Sequence, residues 1–184
     1  MPPATILADA AAEFRRYKAL AEDALAQASE AELLRTLDAE SNSMAMIMKH
    51  IAGNLRSRWT DFLTTDGEKP DRRRDTEFVA EAPDTPQTLL QRWEEGWSRL
   101  FETLAALRPE DLDRIIVIRG EPHSALRALQ RSLAHTAYHV GQIVFLAKHF
   151  AGERWKTLSI PRGKSEEFLA ATRRQWEEKL RGSK

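Results

Sequence analysis

The strongest helical pattern in the sequence is in residues 122–150, PHSALRALQRSLAHTAYHVGQIVFLAKHF. Its apolar residues recur every three or four positions, which is the period of an amphipathic α-helix. This apolar stripe consists of Leu126, Leu129, Leu133, Ala137, Val140 and Val144. Gly152 follows, at a position where glycine commonly ends a helix. The pattern predicts the longest helix of the chain, with one face that other helices must cover.

Further segments with the same period supply those helices. They cover about residues 5–27, 43–63 and 86–107, with a short helix predicted over 29–38 and a last one capped by Ser165. In the last helix, Phe168, Leu169 and Trp176 are expected on the buried side. Four long helices with additional short pieces predict an all-α fold, a four-helix bundle.

Two segments depart from the helical pattern. Residues 64–86 hold several prolines and Gly67 without a helical period, so we interpret them as a long crossover loop on the surface. A domain linker is the alternative, but neither flank has enough helices for a core of its own, and we expect one domain over residues 1–184. Residues 114–118, RIIVI, contain four consecutive β-branched residues and precede a turn, which predicts a small β-ribbon.

Charge and composition exclude several classes of protein. Lys plus Arg and Asp plus Glu are 28 each among 184 residues, so no net charge draws the chain to nucleic acid. The absence of cysteine excludes disulfides, thiolate metal sites and a cysteine nucleophile. Apolar runs are far shorter than the roughly 20 residues of a membrane helix, and no secretory signal is visible. We expect a cytoplasmic protein that binds neither nucleic acid nor membrane.

The predicted longest helix carries a pair of histidines. His135 and His139 are four residues apart, so both imidazoles lie on one face and can share a divalent ion. Thr136 stands where a zinc peptidase of the HExxH type has its glutamate, which argues against that class. The alternative is two ordinary polar side chains beside a core.

A third ligand would strengthen the metal interpretation. His50 adjoins the apolar face of the predicted helix 43–63 and becomes a ligand if that helix packs beside the pair. Otherwise it is a hydrogen-bonded core histidine. His123, in the predicted helix-start turn, and His149, near a helix end, are expected to be structural or exposed.

Two other motifs have plainer interpretations. Residues 162–165, RGKS, end like a phosphate-binding P-loop, but Leu158 replaces its first glycine and no βαβ unit precedes it. Arg72, Arg73 and Arg74 are bracketed by Asp71 and Asp75, which predicts a solvated loop with locally balanced charge; anion binding is the alternative.

The segments around the three histidines resemble a known family. KHIAGN (residues 49–54) and HTAYHVGQI (residues 135–143) are similar to the corresponding segments of the DinB-like (YfiT-like) metal-binding four-helix bundles. The resemblance covers nearly the whole chain in helix order and spacing. IRGEPHS (118–124) and LSIPRGKS (158–165) resemble an uncharacterised branch of that superfamily.

This resemblance implies a metal site made by His50, His135 and His139. The ion expected is nickel or zinc, with manganese or iron as alternatives, and the remaining coordination positions are open to water or substrate. Related proteins include S-transferases and an isomerase that use low-molecular-weight thiols, and they often form homodimers. Asn54, and also Glu121, Tyr138 and Gln142, could lie near the site or its substrate, but no catalytic role is assigned to them.

Two functions follow from these expectations. The first is a metal-dependent transferase or hydrolase that acts on a small molecule, with a thiol or water activated by the ion. The second is a noncatalytic dimeric bundle whose metal is structural or binds a ligand. An open coordination position facing a pocket favours the first, and a fourth protein ligand favours the second.

Overall fold

The computed structural model describes residues 3–79, 81 and 84–182, so Pro83 of the predicted crossover loop lies outside the described residues. The α-helices are α1 (Pro3–Leu25), α2 (Glu30–Leu34), α3 (Met44–Trp59), α4 (Pro86–Ala106), α5 (Ala125–Ala151) and α6 (Ser165–Gly182). The strands are β1 (Ile115–Ile118) and β2 (Glu121–Ser124), and three short 3₁₀ helices cover Arg74–Phe78, Pro109–Asp113 and Gly152–Arg154. The predicted all-α class is confirmed. Within the described residues, no helix is long and apolar enough to cross a membrane.

The four long helices α1, α3, α4 and α5 enclose the core. The most extensive contacts join α3 to α4 and α1 to α5, and α3 also packs on α5. Phe14 of α1 is fully buried and meets Trp59 of α3 and Trp97 of α4 edge-on, with ring centroids 6.0 and 6.3 Å apart. Large aromatic rings in these orientations bury much apolar surface and add a favourable electrostatic contact. The predicted bundle therefore has an aromatic centre.

Helix α3 is shorter than its sequence period predicts. The chain leaves the helix at Thr60, and Asp61 takes a positive φ of 47°, which starts a turn. Phe62 nevertheless stays buried and stacks on Trp59, at a centroid distance of 4.7 Å. Phe62 is buried although it lies outside the helix. The apolar period of the sequence therefore extends beyond the end of α3.

The crossover between α3 and α4 is fastened to α3 by a buried lysine. Lys49 donates from Nζ to Asp84 Oδ2 at 2.7 Å and to the carbonyl oxygens of Val79 and Thr76 at 2.6 and 3.1 Å. Burial raises the pKa of Asp84, but the hydrogen bond from Lys49 and other donors outweigh it and leave that pKa below its ordinary value. The predicted surface loop is thus, in part, a packed element.

The predicted β-ribbon is a two-stranded antiparallel hairpin, with Ile116 opposite His123. Its turn residues Arg119 and Gly120 both have positive φ, as tight hairpin turns require. Their amides donate to the carboxylate of Asp66 in the crossover loop, each at 2.8 Å. The prediction that α5 starts at Pro122 was wrong, because residues 121–124 pair with β1 and Ser124 caps the helix. His123 accordingly lies in a strand and is buried.

Helix α6 also differs from its prediction. Phe168, Leu169 and Trp176 were expected to be buried, but 51%, 49% and 57% of their surfaces are exposed. The helix forms as its period predicts, but Ser165 is its first residue and not the residue before it. Among the described residues, the apolar face of α6 has no extensive packing against the bundle.

The close packing of α3 on α4 depends on Gly96, and Gly96→Ala tests this. A Cβ atom there would lie 2.7 Å from the carbonyl oxygen of Ala52 and 2.9 Å from its Cα, both in the α3 backbone. We expect Gly96→Ala to lower the free energy of unfolding by about 2 kcal/mol, because the helices must separate.

Gly141→Ala is the matched control in α5, where a new Cβ meets nothing within 4 Å. It should raise the free energy of unfolding by up to about 1 kcal/mol, through helix propensity alone. Urea unfolding followed by circular dichroism measures both, and equal effects of the two substitutions would contradict the account.

Candidate metal centre

Helices α3 and α5 bring His50, His135 and His139 together. This proximity is the condition for a shared metal site. The ring centroids lie 5.1 Å apart for His50 and His135, 4.7 Å for His50 and His139, and 4.5 Å for His135 and His139. One ring nitrogen from each histidine can be chosen so that all three lie within 4.8 Å of one another. Among the described residues, this is the group of His, Cys, Asp or Glu side chains close enough to hold an ion.

The register of the two helices sets this convergence. The indole N–H of Trp59 donates to the hydroxyl of Ser132 at 3.2 Å. At the other end of the contact, Nε2 of His50 lies 3.1 Å from Nε2 of His135. Position 59 therefore meets position 132 and position 50 meets position 135, which means that the helices run antiparallel. His135 and His139, one turn apart, both face His50 in this register.

Burial favours the neutral form of His135 and His139, which is the form that a metal ligand needs. Burial lowers the pKa of His135 to about 3, and repulsion from the neighbouring histidines acts in the same direction. Burial also lowers the pKa of His139, against the opposing hydrogen bond to Gln142. A neutral imidazole keeps a lone pair on one ring nitrogen, which is the metal-binding form.

Hydrogen bonds on the far side of two rings decide which nitrogen faces the cluster. His50 Nδ1 lies 2.9 Å from the carboxylate oxygen Oε2 of Glu77, and His139 Nδ1 lies 2.8 Å from the amide oxygen Oε1 of Gln142. Both oxygens are acceptors, so the proton of each ring is assigned to Nδ1 and the lone pair to Nε2. Contacts of this kind orient metal-binding histidines in proteins generally.

Glu77 is itself fixed by a buried ion pair. Arg72 donates from Nε to Oε1 at 2.8 Å and from Nη2 to Oε2 at 2.9 Å, and only 2% of the Arg72 side chain is exposed. Burial raises the pKa of Glu77, but hydrogen bonds from His50 and Arg72 outweigh it, so the pKa lies below its ordinary value. Gly53 makes room, because a Cβ there would lie 2.2 Å from Oε1 of Glu77. The prediction of a solvated arginine loop is therefore wrong for Arg72.

The three histidines line a cavity of about 390 Å³, here called the histidine cavity. Trp59, Phe62 and Phe78 supply aromatic walls, and Asn54 also lines it. Gln142 touches the site through His139, and the ring of Tyr138 lies 4.8 Å from that of His139. Glu121 lies in β2 beside His123 and not in the lining. His149 is exposed, as expected.

The donor set fits a divalent transition metal. Imidazole nitrogen suits zinc, nickel, copper and iron. Nε2 of His50 and Nε2 of His135 lie 3.1 Å apart, so either a ring proton or a cation belongs between them. No carboxylate of the described residues joins the cluster, so these residues offer three candidate ligands.

A family model covers residues 3–164, and its description is a protein of unknown function, DUF1572. The chain belongs to the DUF1572 family. The match includes the helices that carry the three histidines and the crossover that carries Arg72 and Glu77, and it ends before α6. Searches of curated proteins and of solved structures gave no match.

Glu77→Gln tests the ion pair behind His50 in this DUF1572 protein. Removing the carboxylate leaves the buried guanidinium of Arg72 with only the longer contact to Glu68, at 3.4 Å, so we expect the free energy of unfolding to fall by about 2 kcal/mol. Glu13→Gln is the control, because Glu13 pairs with Arg16 on the surface and 45% of its side chain is exposed. That control should change the free energy of unfolding by less than about 0.5 kcal/mol. Equal stability of the two variants in urea unfolding would contradict the role given to Glu77.

Proposed function

We propose that this DUF1572 protein is a divalent-metal-dependent enzyme of the DinB-like superfamily. In this proposal it transfers or hydrolyses a group on a small molecule, with a low-molecular-weight thiol as cosubstrate in the transferase case. His50, His135 and His139 hold the ion, nickel or zinc in the first instance and manganese or iron as alternatives. The cytoplasmic location and the homodimer stay predictions.

The observation that carries the proposal is the opening of the histidine cluster into the histidine cavity. A structural zinc site is closed by four protein ligands, whereas a catalytic site keeps a position for water or substrate. Here three histidines form the cluster and the described residues offer no fourth His, Cys, Asp or Glu ligand. The same three rings line a cavity of about 390 Å³, which is large enough for a small molecule.

The chain's own residues orient the ligands and limit access of water. Glu77 and Gln142 hold the rings of His50 and His139 with Nε2 toward the cluster. Phe78 covers one side of His50, with ring centroids 4.7 Å apart. When bound, a divalent ion would lower the pKa of a thiol or water and so supply a nucleophile at neutral pH. No general base is assigned.

The metal content of untagged protein tests the first part of the proposal. We expect about one divalent ion per chain by elemental analysis, and His139→Ala should lose most of it because one of three ligands is gone. The matched control is His149→Ala, which removes an exposed histidine from the same helix and should keep the ion. Equal metal content in both variants would contradict the assignment.

Activity together with thermal stability separates the enzyme from the structural metal site. Wild-type protein loaded with nickel, zinc, manganese or iron is assayed with glutathione, bacillithiol, mycothiol or cysteine and electrophilic acceptors. We expect turnover that His139→Ala abolishes while the melting temperature changes little. An inactive wild type that binds its ion tightly, with a sharp fall in the melting temperature of His139→Ala, would favour the noncatalytic bundle, because metal binding would then be part of the folding free energy.

A further inference from the structure

The histidine cavity has a strongly basic lining. Arg58, Arg74, Arg119 and Arg131 line it, and no Asp or Glu of the described residues does. The whole chain, by contrast, has 28 basic and 28 acidic residues. The fold therefore concentrates positive charge at this cavity, and the three histidines add no negative charge to offset it.

Arg131 is the arginine of this group whose charge is least compensated. Its Nη1 lies 3.2 Å from Nε2 of His123, a neutral partner when it accepts this hydrogen bond. His123 is 3% exposed, so the guanidinium is held by a hydrogen bond to a buried ring. Within the described part of the chain, no carboxylate forms an ion pair with Arg131 in the way that Glu68 does with Arg58 and Arg119, at 3.1 and 2.8 Å.

The cavity has a histidine end and an arginine end. On each helix three polar residues are spaced by four positions and so follow one face: His50, Asn54 and Arg58 on α3, and His139, His135 and Arg131 on α5. Because the helices are antiparallel, both series run from histidine to arginine in the same direction. Arg131 is one helical turn, about 6 Å, from His135 and two turns, about 12 Å, from His139.

Apolar rings lie beside the arginine end. Trp59 follows Arg58 on α3, stacks on Phe62 and is hydrogen-bonded to Ser132, the neighbour of Arg131. Both rings line the cavity. An apolar body would therefore contact aromatic walls while its charged end reached the arginines.

We propose that the histidine cavity binds a small organic anion. A carboxylate or phosphate group is held by Arg131 with Arg58, the apolar body lies against Trp59 and Phe62, and the group to be transformed points toward the three histidines. Guanidinium groups bind both kinds of oxyanion through paired N–H donors. The orientation of the reacting group rests on the proposed function, whereas the anion site rests on the arginines alone.

Calorimetric titration with three probes tests the anion site. The probes are 3-phenylpropanoate, phenyl phosphate and the neutral 3-phenylpropan-1-ol, added to protein as purified, with the metal content of each sample measured. We expect at least one anion to bind about tenfold more tightly than the alcohol, because charge-assisted hydrogen bonds are stronger than neutral ones. Binding of one anion alone supports the site and identifies the group that it accepts.

Arg131→Gln should weaken binding of that anion about tenfold without changing the metal content. The control is Arg127→Gln, which removes an equal charge from an exposed position on α5 outside the cavity lining and should leave the affinity within about twofold. Equal affinity for alcohol and anion, equal effects of the two substitutions, or no binding of either anion up to about 10 mM would overturn the proposal.

The metal content of the same samples separates this proposal from the metal-dependent function. Anion binding through Arg131 in a wild-type protein that holds no ion would support the anion site and overturn the proposed function. A wild-type protein that holds its ion and shows no preference for the anions would overturn the anion site alone.

Discussion

The antiparallel contact between α3 and α5 determines the positions of the three histidines. The hydrogen bond from Trp59 to Ser132 marks one end of this contact and the meeting of His50 with His135 marks the other. A shift of one turn along either helix would move a histidine by about 5.4 Å and separate the rings. Helix α4 supports α3 from another side, where Gly96 permits near-contact of the two backbones. The bundle thus holds three imidazoles together through packing that lies mostly outside the site.

Burial of the three rings has an electrostatic consequence that the surrounding residues complete. Desolvation disfavours the imidazolium form, so the lowered pKa of His135 and of His139 follows from their position between packed helices. The crossover then contributes Glu77, whose charge is balanced by Arg72 and which also contacts Nδ1 of His50. The three rings lie beside a cavity whose Arg58 and Arg131 are farther along the same helices. Both proposals therefore depend on one framework but on different side chains.

Much of the bundle was predictable because helix formation leaves a local periodic signal. Two features belong to a single helix: the apolar stripe from Leu126 to Val144 and the spacing of His135 and His139. The position of His50 on an apolar face indicated that it also faces the core of the bundle. The same local signal was misleading for Phe62, which is buried beyond the end of its helix, and for α6, whose apolar face is exposed. The apolar periodicity of a segment shows that its helix is amphipathic, but it does not show which residues contact the apolar face.

No local sequence pattern identifies Glu77 as the partner of His50. The two residues are 27 positions apart, and Glu77 lies in a segment without a helical period, so only the three-dimensional path of the crossover brings them together. The prediction for Arg72 was wrong for the same reason. Asp71 and Asp75 are its neighbours in the sequence, whereas in the structure the carboxylate of Glu77 pairs with its positive charge. The hydrogen bond from Lys49 to Asp84 spans 35 positions and fastens this crossover to α3. Long-range ion pairs of this kind have no local signature.

The proposed site requires His50, His135 and His139 to hold one ion with a coordination position open to the cavity. Anomalous diffraction from crystals of the untagged protein, recorded at the absorption edges of the candidate metals, locates such an ion. We expect one anomalous peak about 2.1 Å from a nitrogen of each ring, with a non-protein ligand on the cavity side. A fourth protein ligand closing the sphere, or an ion bound elsewhere while the three rings hold none, would contradict it.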